Sequence, residues 1–94
     1  MKTLVIYDIT DDSRRSRLRD HLREYGLRWI QYSGFFGDLN PHDREILSLE
    51  ISKYVVDARD SIYIIPLCSR CLKVCRVISK RPVSLLEEGE VEMV

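Results

Sequence analysis

The chain has no net charge of either sign, since its 15 lysines and arginines cancel its 15 aspartates and glutamates. That balance argues against a uniformly basic coat for nucleic acid. No apolar run approaches the ~20 residues that a membrane-spanning helix needs, and the amino terminus has no signal-peptide pattern. A cytoplasmic protein with no membrane partner is therefore expected. Internal repeats and low-complexity tracts are absent too, which with 45% apolar and 32% charged residues excludes a disordered tail or a collagen-like chain. Histidine is scarce, and His21 and His42 both fall on helix patterns. The three cysteines, Cys68, Cys71 and Cys75, are spaced C-x2-C-x3-C. They are one ligand short of a closed tetrahedral metal site and have no histidine nearby in sequence. Free thiols on a strand and its turn are the expectation, with a site shared between chains as the alternative.

What is present is unevenly placed. Every charge from Leu67 to Pro82 is positive (Arg70, Lys73, Arg76, Lys80 and Arg81), whereas every charge after Pro82 is negative (Glu87, Glu88, Glu90 and Glu92). The acidic tail masks two basic regions in the sum, and a phosphate backbone would meet the local field rather than the total. At the other end, Leu4-Val5-Ile6-Tyr7-Asp8-Ile9 holds an unbroken apolar strand that ends on a single carboxylate. Alternation puts Leu4, Ile6 and Asp8 on one face and Val5 and Tyr7 on the other.

An arginine-studded helix follows, capped by Thr10, Asp11 or Asp12 and ended near Gly26. Leu18, Leu22 and Tyr25 form its apolar stripe, Arg15, Arg19 and Arg23 lie on a flank, and Arg17 is on the other side. A helix start beside a carboxylate and several guanidiniums suits a phosphate and a metal together. Without further context, a capping or turn role for Asp8 is the commoner one. The arginine flank is read as a phosphate contact, and solubility alone is its alternative.

The stretch 28–37, aromatic and punctuated by two glycines, reads as one bent strand or two short ones. Trp29, Phe35 and Phe36 are read as core or interface residues, with base stacking as the alternative. Asn40-Pro41 starts a second helix that runs to Val56, and Asp57 to Asp60 makes the turn into a strand over 61–67, where Pro66 marks an edge or a strand end. Further strands are expected over Val74–Ile78 and Val83–Leu86.

This order gives an α+β, ferredoxin-like two-layer sandwich, β-α-β-β-α-β, with additional short C-terminal strands. The domain spans 1–82, and 83–94 forms a terminal strand and acidic tail able to pair with another protomer. Two helices cover one sheet face only, while the strands are apolar on both, so a homodimer packed through the sheets is expected.

Tyr7-Asp8-Ile9, the arginine-bearing helix, Gln31-Tyr32-Ser33-x-Phe35 with Gly37-Asp38-Leu39, and the later Ile-rich strand together resemble the CRISPR-associated protein 2 family, over nearly the whole chain to about Leu86. The resemblance implies a small homodimer of antiviral defence. It also implies that Asp8, paired across the dimer, is the metal-binding and catalytic residue, with Mg2+ or Mn2+ as cofactor. Tyr7, Arg15, Arg17, Ser33 and Phe35 match the supporting or nucleic-acid-binding positions. Gly34 stands where the family usually shows valine, and Trp29 where some members carry arginine. The activity so implied is metal-dependent phosphodiester hydrolysis of single-stranded RNA or duplex DNA in spacer acquisition. The alternative is a non-catalytic dimeric DNA-binding bridge that scaffolds the CRISPR integrase subunit.

Overall fold

A computed structural model describes residues 1–80 and, as backbone, 90–93. The first strand, β1 (Lys2–Asp8), alternates as its sequence requires: Thr3, Val5 and Tyr7 are buried, while Leu4 and Ile6 are half-buried on the opposite face. Helix α1 (Asp12–Glu24) is capped by Asp11, whose carboxylate accepts from the Arg14 N–H, and it lays Leu18 and Leu22 on the sheet. Burying each leucine is worth about 1.5–3 kcal/mol. Gly26 follows with φ +80°, a left-handed position that a residue bearing Cβ fills only under strain.

The aromatic stretch is two strands. β2 (Arg28–Gln31) and β3 (Gly34–Asp38) form a hairpin across Tyr32-Ser33, with a register shift between Trp29 and Gln31. Helix α2 (Pro41–Ile51) starts where expected, the Asn40 side chain accepting from the Asp43 N–H at 2.7 Å. It ends sooner than the apolar pattern suggests: Ser52–Tyr54 tighten into a 3-10 turn, and Val55 and Val56 are exposed. Strand β4 (Ser61–Leu67) completes an antiparallel sheet of order β2-β3-β1-β4 with both long helices on one face. This is the ferredoxin-like arrangement. Pro66 does sit on an edge strand.

The chain departs from expectation after β4. The cysteine segment is a short helix, α3 (Ser69–Lys73), whose Leu72 is buried with Phe36 against the side of the sheet away from α1 and α2, beside Leu4, Ile30 and Leu67. A second, separate pair of strands follows, β5 (Arg76–Ser79) and β6 (Glu90–Met93), which run parallel. The strand expected over Val74–Ile78 thus begins two residues later, and that over Val83–Leu86 lies outside the described residues. No described helix is long and apolar enough to cross a membrane.

One carboxylate that the sequence offers merely as a turn residue organises the join between these elements. Asp60 closes the turn after the 3-10 segment, and its side chain is wholly inaccessible. Its Oδ1 accepts from the Thr10 N–H at 2.8 Å and the Thr10 hydroxyl at 2.9 Å. Its Oδ2 accepts from Arg14 Nη1 at 2.6 Å and from the N–H groups of Asp57 at 2.8 Å and Val56 at 3.0 Å. The Thr10 N–H first, then those of Asp57 and Val56 and the Arg14 guanidinium, hold this carboxyl far below the ordinary carboxylate range, against the opposing effect of burial.

Asp60→Asn loses the charge and must turn amide hydrogens toward donors. Its thermal midpoint at pH 7 should fall by about 10 °C or more. The depressed pKa makes the wild-type contribution fully present above the ordinary aspartate value of 3.8 and lost as pH falls through the folded value. The gap between wild type and Asp60→Asn in circular-dichroism melts should therefore narrow from pH 7 to pH 3 (chosen at about one unit below that ordinary value).

Candidate functional site

Asp8 is the last residue of β1, paired with Ser61 of β4 and on the same face as Leu4 and Ile6. It is exposed, and its carboxylate makes no hydrogen bond or ion pair with the described residues. The backbone around it is pinned residue by residue. The Tyr7 N–H donates to the Ser33 carbonyl at 3.1 Å. Ile9 is buried, and its carbonyl accepts from Arg15 Nε at 3.2 Å and Nη2 at 3.0 Å. Thr10 is held by Asp60, and Asp11 caps α1. An exposed carboxylate, without a partner among the described residues, thus stands on a hydrogen-bonded strand end, so little backbone entropy remains to be lost when a ligand is met there.

A second group of side chains lies on the other face. The Tyr7 hydroxyl donates to the Tyr32 carbonyl at 3.1 Å and accepts from Arg19 Nε at 2.9 Å. Arg19 Nη2 donates to the same carbonyl at 3.2 Å, and its guanidinium carbon lies 5.5 Å from the Trp29 ring centroid and 5.1 Å from that of Tyr32. The bond to Tyr7 pushes the Arg19 pKa further up, so the residue is a permanent cation.

The arginine flank is therefore less available than its sequence implies. Arg15 serves the Ile9 carbonyl and reaches Asp12 at 2.6 Å, Arg19 serves Tyr7 and Tyr32, and Arg23 pairs with Asp20 at 3.1 Å and lies over the Phe35 ring. Arg17 is exposed and has no partner among the described residues. Ser33 contributes through its carbonyl to Tyr7. Phe35 is fully buried in the core next to Tyr7, with ring centroids 6.3 Å apart. Phe36 is buried as expected, but Trp29 is not: it is 51% exposed.

Away from Asp8, His21 bridges the helices, with Nδ1 3.0 Å from the Tyr54 hydroxyl and Nε2 3.0 Å from Glu50. The Tyr25 hydroxyl donates to the same carboxylate at 2.5 Å, a bond that pushes its pKa up to about 12. Cys68 and Cys71 are exposed free thiols flanking and within α3, and Cys75 is half-buried and donates to the Cys71 carbonyl. Among the described residues no three His, Cys, Asp or Glu side chains converge in a metal-binding group.

Residues 1–74 match the family model described as CRISPR associated protein Cas2. The chain belongs to that family. It is 51% identical over 94 residues, the full length of both chains, to a protein of Archaeoglobus fulgidus named CRISPR-associated endoribonuclease Cas2 1. A Thermoproteus tenax protein named CRISPR-associated endonuclease Cas1/endonuclease Cas2 fusion is 34% identical over 82 residues, covering 87% of this chain and 31% of the fusion. Among solved structures, one described as a crystal structure of cas2 superposes with a TM-score of 0.60 at 34% identity, covering 70% of this chain and 75% of that one.

The matched residues 1–74 take in the exposed strand-end Asp8 and the framework that fixes its backbone. Its Gly34 is buried, and a Cβ there would approach Gln31 Cγ to 3.0 Å, a contact that the flexible glutamine relieves by moving aside. Trp29 lies opposite Phe35 on the helix side of the sheet, where Arg19 rather than a second-strand arginine supplies the cation. Sequence reading missed both Asp60 and the Arg19 cluster. The one available hint for Asp60 was its place just before the strand that pairs with β1.

Arg15 and Arg17 are separable by stability. Arg15→Ala removes two bonds to a buried carbonyl's strand end and should cost about 1 kcal/mol or more, whereas Arg17→Ala should stay within about 0.5 kcal/mol, as checked by urea unfolding.

Proposed function

We propose that the chain is a metal-dependent endonuclease of CRISPR adaptation, an endoribonuclease in the first instance, that works as a homodimer. The observation that carries the reading is Asp8, an exposed carboxylate without a partner among the described residues on a backbone fixed from both sides. Its hard oxygen donors suit Mg2+ or Mn2+, and Mg2+ takes one or two protein carboxylates and keeps several waters. One protomer supplies too few ligands, and the same residue of a second copy completes the set.

The dimer reading rests on the face away from α1 and α2. Tyr63 is 60% and Ile65 37% exposed there, opposite Ile6 and Leu4 in register and on the side that carries Asp8. Burying this face on a two-fold axis would bring two copies of Asp8 toward each other. Like charges brought together in this way would be relieved by a bound cation.

When bound, the divalent ion neutralises the phosphodiester and lowers the pKa of a coordinated water. The chain's own part is to orient that ion through Asp8. Arg15 acts as a positioning residue by fixing the Ile9 carbonyl, and the exposed cation of Arg17, without a partner among the described residues, stabilises charge that grows on the phosphoryl oxygens. The name of the Archaeoglobus fulgidus relative supports RNA as substrate, and the fusion supports a Cas1 subunit as partner.

A second reading is a non-catalytic bridge that binds duplex DNA and spaces integrase subunits. It is favoured by the absence, among the described residues, of any group of three His, Cys, Asp or Glu side chains able to hold a metal ion, and by that fusion.

The two readings part at Asp8→Asn. With Mg2+ and single-stranded RNA, the variant should lose cleavage by at least about a hundredfold while binding stays within about twofold. Equal cleavage by both proteins would hand the function to the bridge. Independently, Tyr63→Glu with Ile65→Lys should convert the protein from a dimeric to a monomeric mass in light scattering. A wild-type mass equal to one chain would overturn the dimer.

A further inference from the structure

Two aromatic rings at the β2–β3 hairpin are held open to solvent. Trp29 is 51% and Tyr32 66% exposed. Exposed tryptophan loses the burial that normally rewards its size, and a side chain left free would rotate. Here neither ring is free. The Arg19 guanidinium lies against both, at 5.5 Å and 5.1 Å from their centroids, and is itself fixed by the Tyr7 hydroxyl and the Tyr32 carbonyl. Tyr7 leads directly to Asp8.

We propose that Trp29 and Tyr32, ordered by Arg19, form a stacking platform for an unpaired nucleobase of the bound strand. The inference rests on the reading of the chain as a nucleic-acid-binding protein and adds a subsite to it. Three observations carry it. The rings are preordered, so stacking costs little conformational entropy. A cation sits beside them, which suits a planar base attached to an anionic phosphate. The register of Trp29 with Phe35 puts it on the helix side of the sheet, so a second copy docked on the face of Asp8, Tyr63 and Ile65 leaves the platform open. Bases inside a duplex already stack on one another and offer no free face, so the platform selects single strands or splayed ends.

Trp29 is the only tryptophan in the chain, which makes its emission a local reporter. The test uses the full chain in chelator, so that no strand is cut. A fluorescein-labelled single-stranded oligoadenylate of about ten nucleotides is compared with a duplex of similar length. Anisotropy of the label reports binding, and tryptophan emission reports stacking.

Quenching that saturates together with the anisotropy for the single strand, and is weak for the duplex, is the expected result. Trp29→Leu should lower single-strand affinity about tenfold and leave duplex affinity within about twofold, the loss of one base stack being of that order. Trp29→Tyr should restore it, which separates a lost ring from a damaged fold. Anisotropy that rises for the single strand with unchanged emission overturns the platform alone. So does a Trp29→Leu variant that binds like wild type, an outcome that would leave the rings to a protein partner. No anisotropy change with either nucleic acid at low salt overturns the nucleic-acid reading and the platform with it.

Discussion

A single buried negative charge fixes the geometry on which everything near Asp8 depends. Asp60 lies after the 3-10 turn, yet three of its five hydrogen-bond donors come from a distant segment: two from Thr10 and one from Arg14 in the first turn of α1. A buried carboxylate is costly unless its oxygens are satisfied, so the same cost enforces the arrangement once it is formed. The end of β1, the start of α1 and the entry to β4 are locked as one unit. Asp8 lies two residues from that lock and inherits its rigidity without losing its own exposure.

The two faces of the sheet divide the chemistry. The helix side holds the main core and, at its margin, the Tyr7–Arg19–Tyr32–Trp29 cluster. The opposite side holds Asp8 at one end and an apolar surface that α3 covers only in part through Leu72. Alternation along β1 makes this possible, because adjacent residues Tyr7 and Asp8 point to opposite faces and can serve different tasks from one strand.

Elements with a period or a cap were legible in the sequence. The alternation of β1, the Leu18 and Leu22 stripe, Gly26 and the Asn40-Pro41 start all act locally, and the order they gave led to the right fold. What escaped depends on distant partners. Asp60 looks like any turn aspartate until Thr10, fifty positions away, is folded onto it. Charges along α1 were visible but their engagement was not, so Arg15, Arg19 and Arg23 looked like a free phosphate-binding flank. Helix α3 has five residues, too few for a helical period to show. Trp29 was read as core because aromatic residues in small sheets usually are, and no local signal distinguishes a ring that is packed from one held open by an arginine on another element.

Open sheets carry a hazard at their borders, where unpaired N–H and C=O groups invite a stray chain to add on. Both borders of this sheet are blunted. Pro66 removes one backbone donor from β4, and the register irregularity between Trp29 and Gln31 disturbs the run of β2. Growth by lateral addition of further copies is thereby discouraged in both directions, while the broad apolar side of the sheet remains available. A molecule so constructed is biased toward closed, countable assemblies and away from fibres.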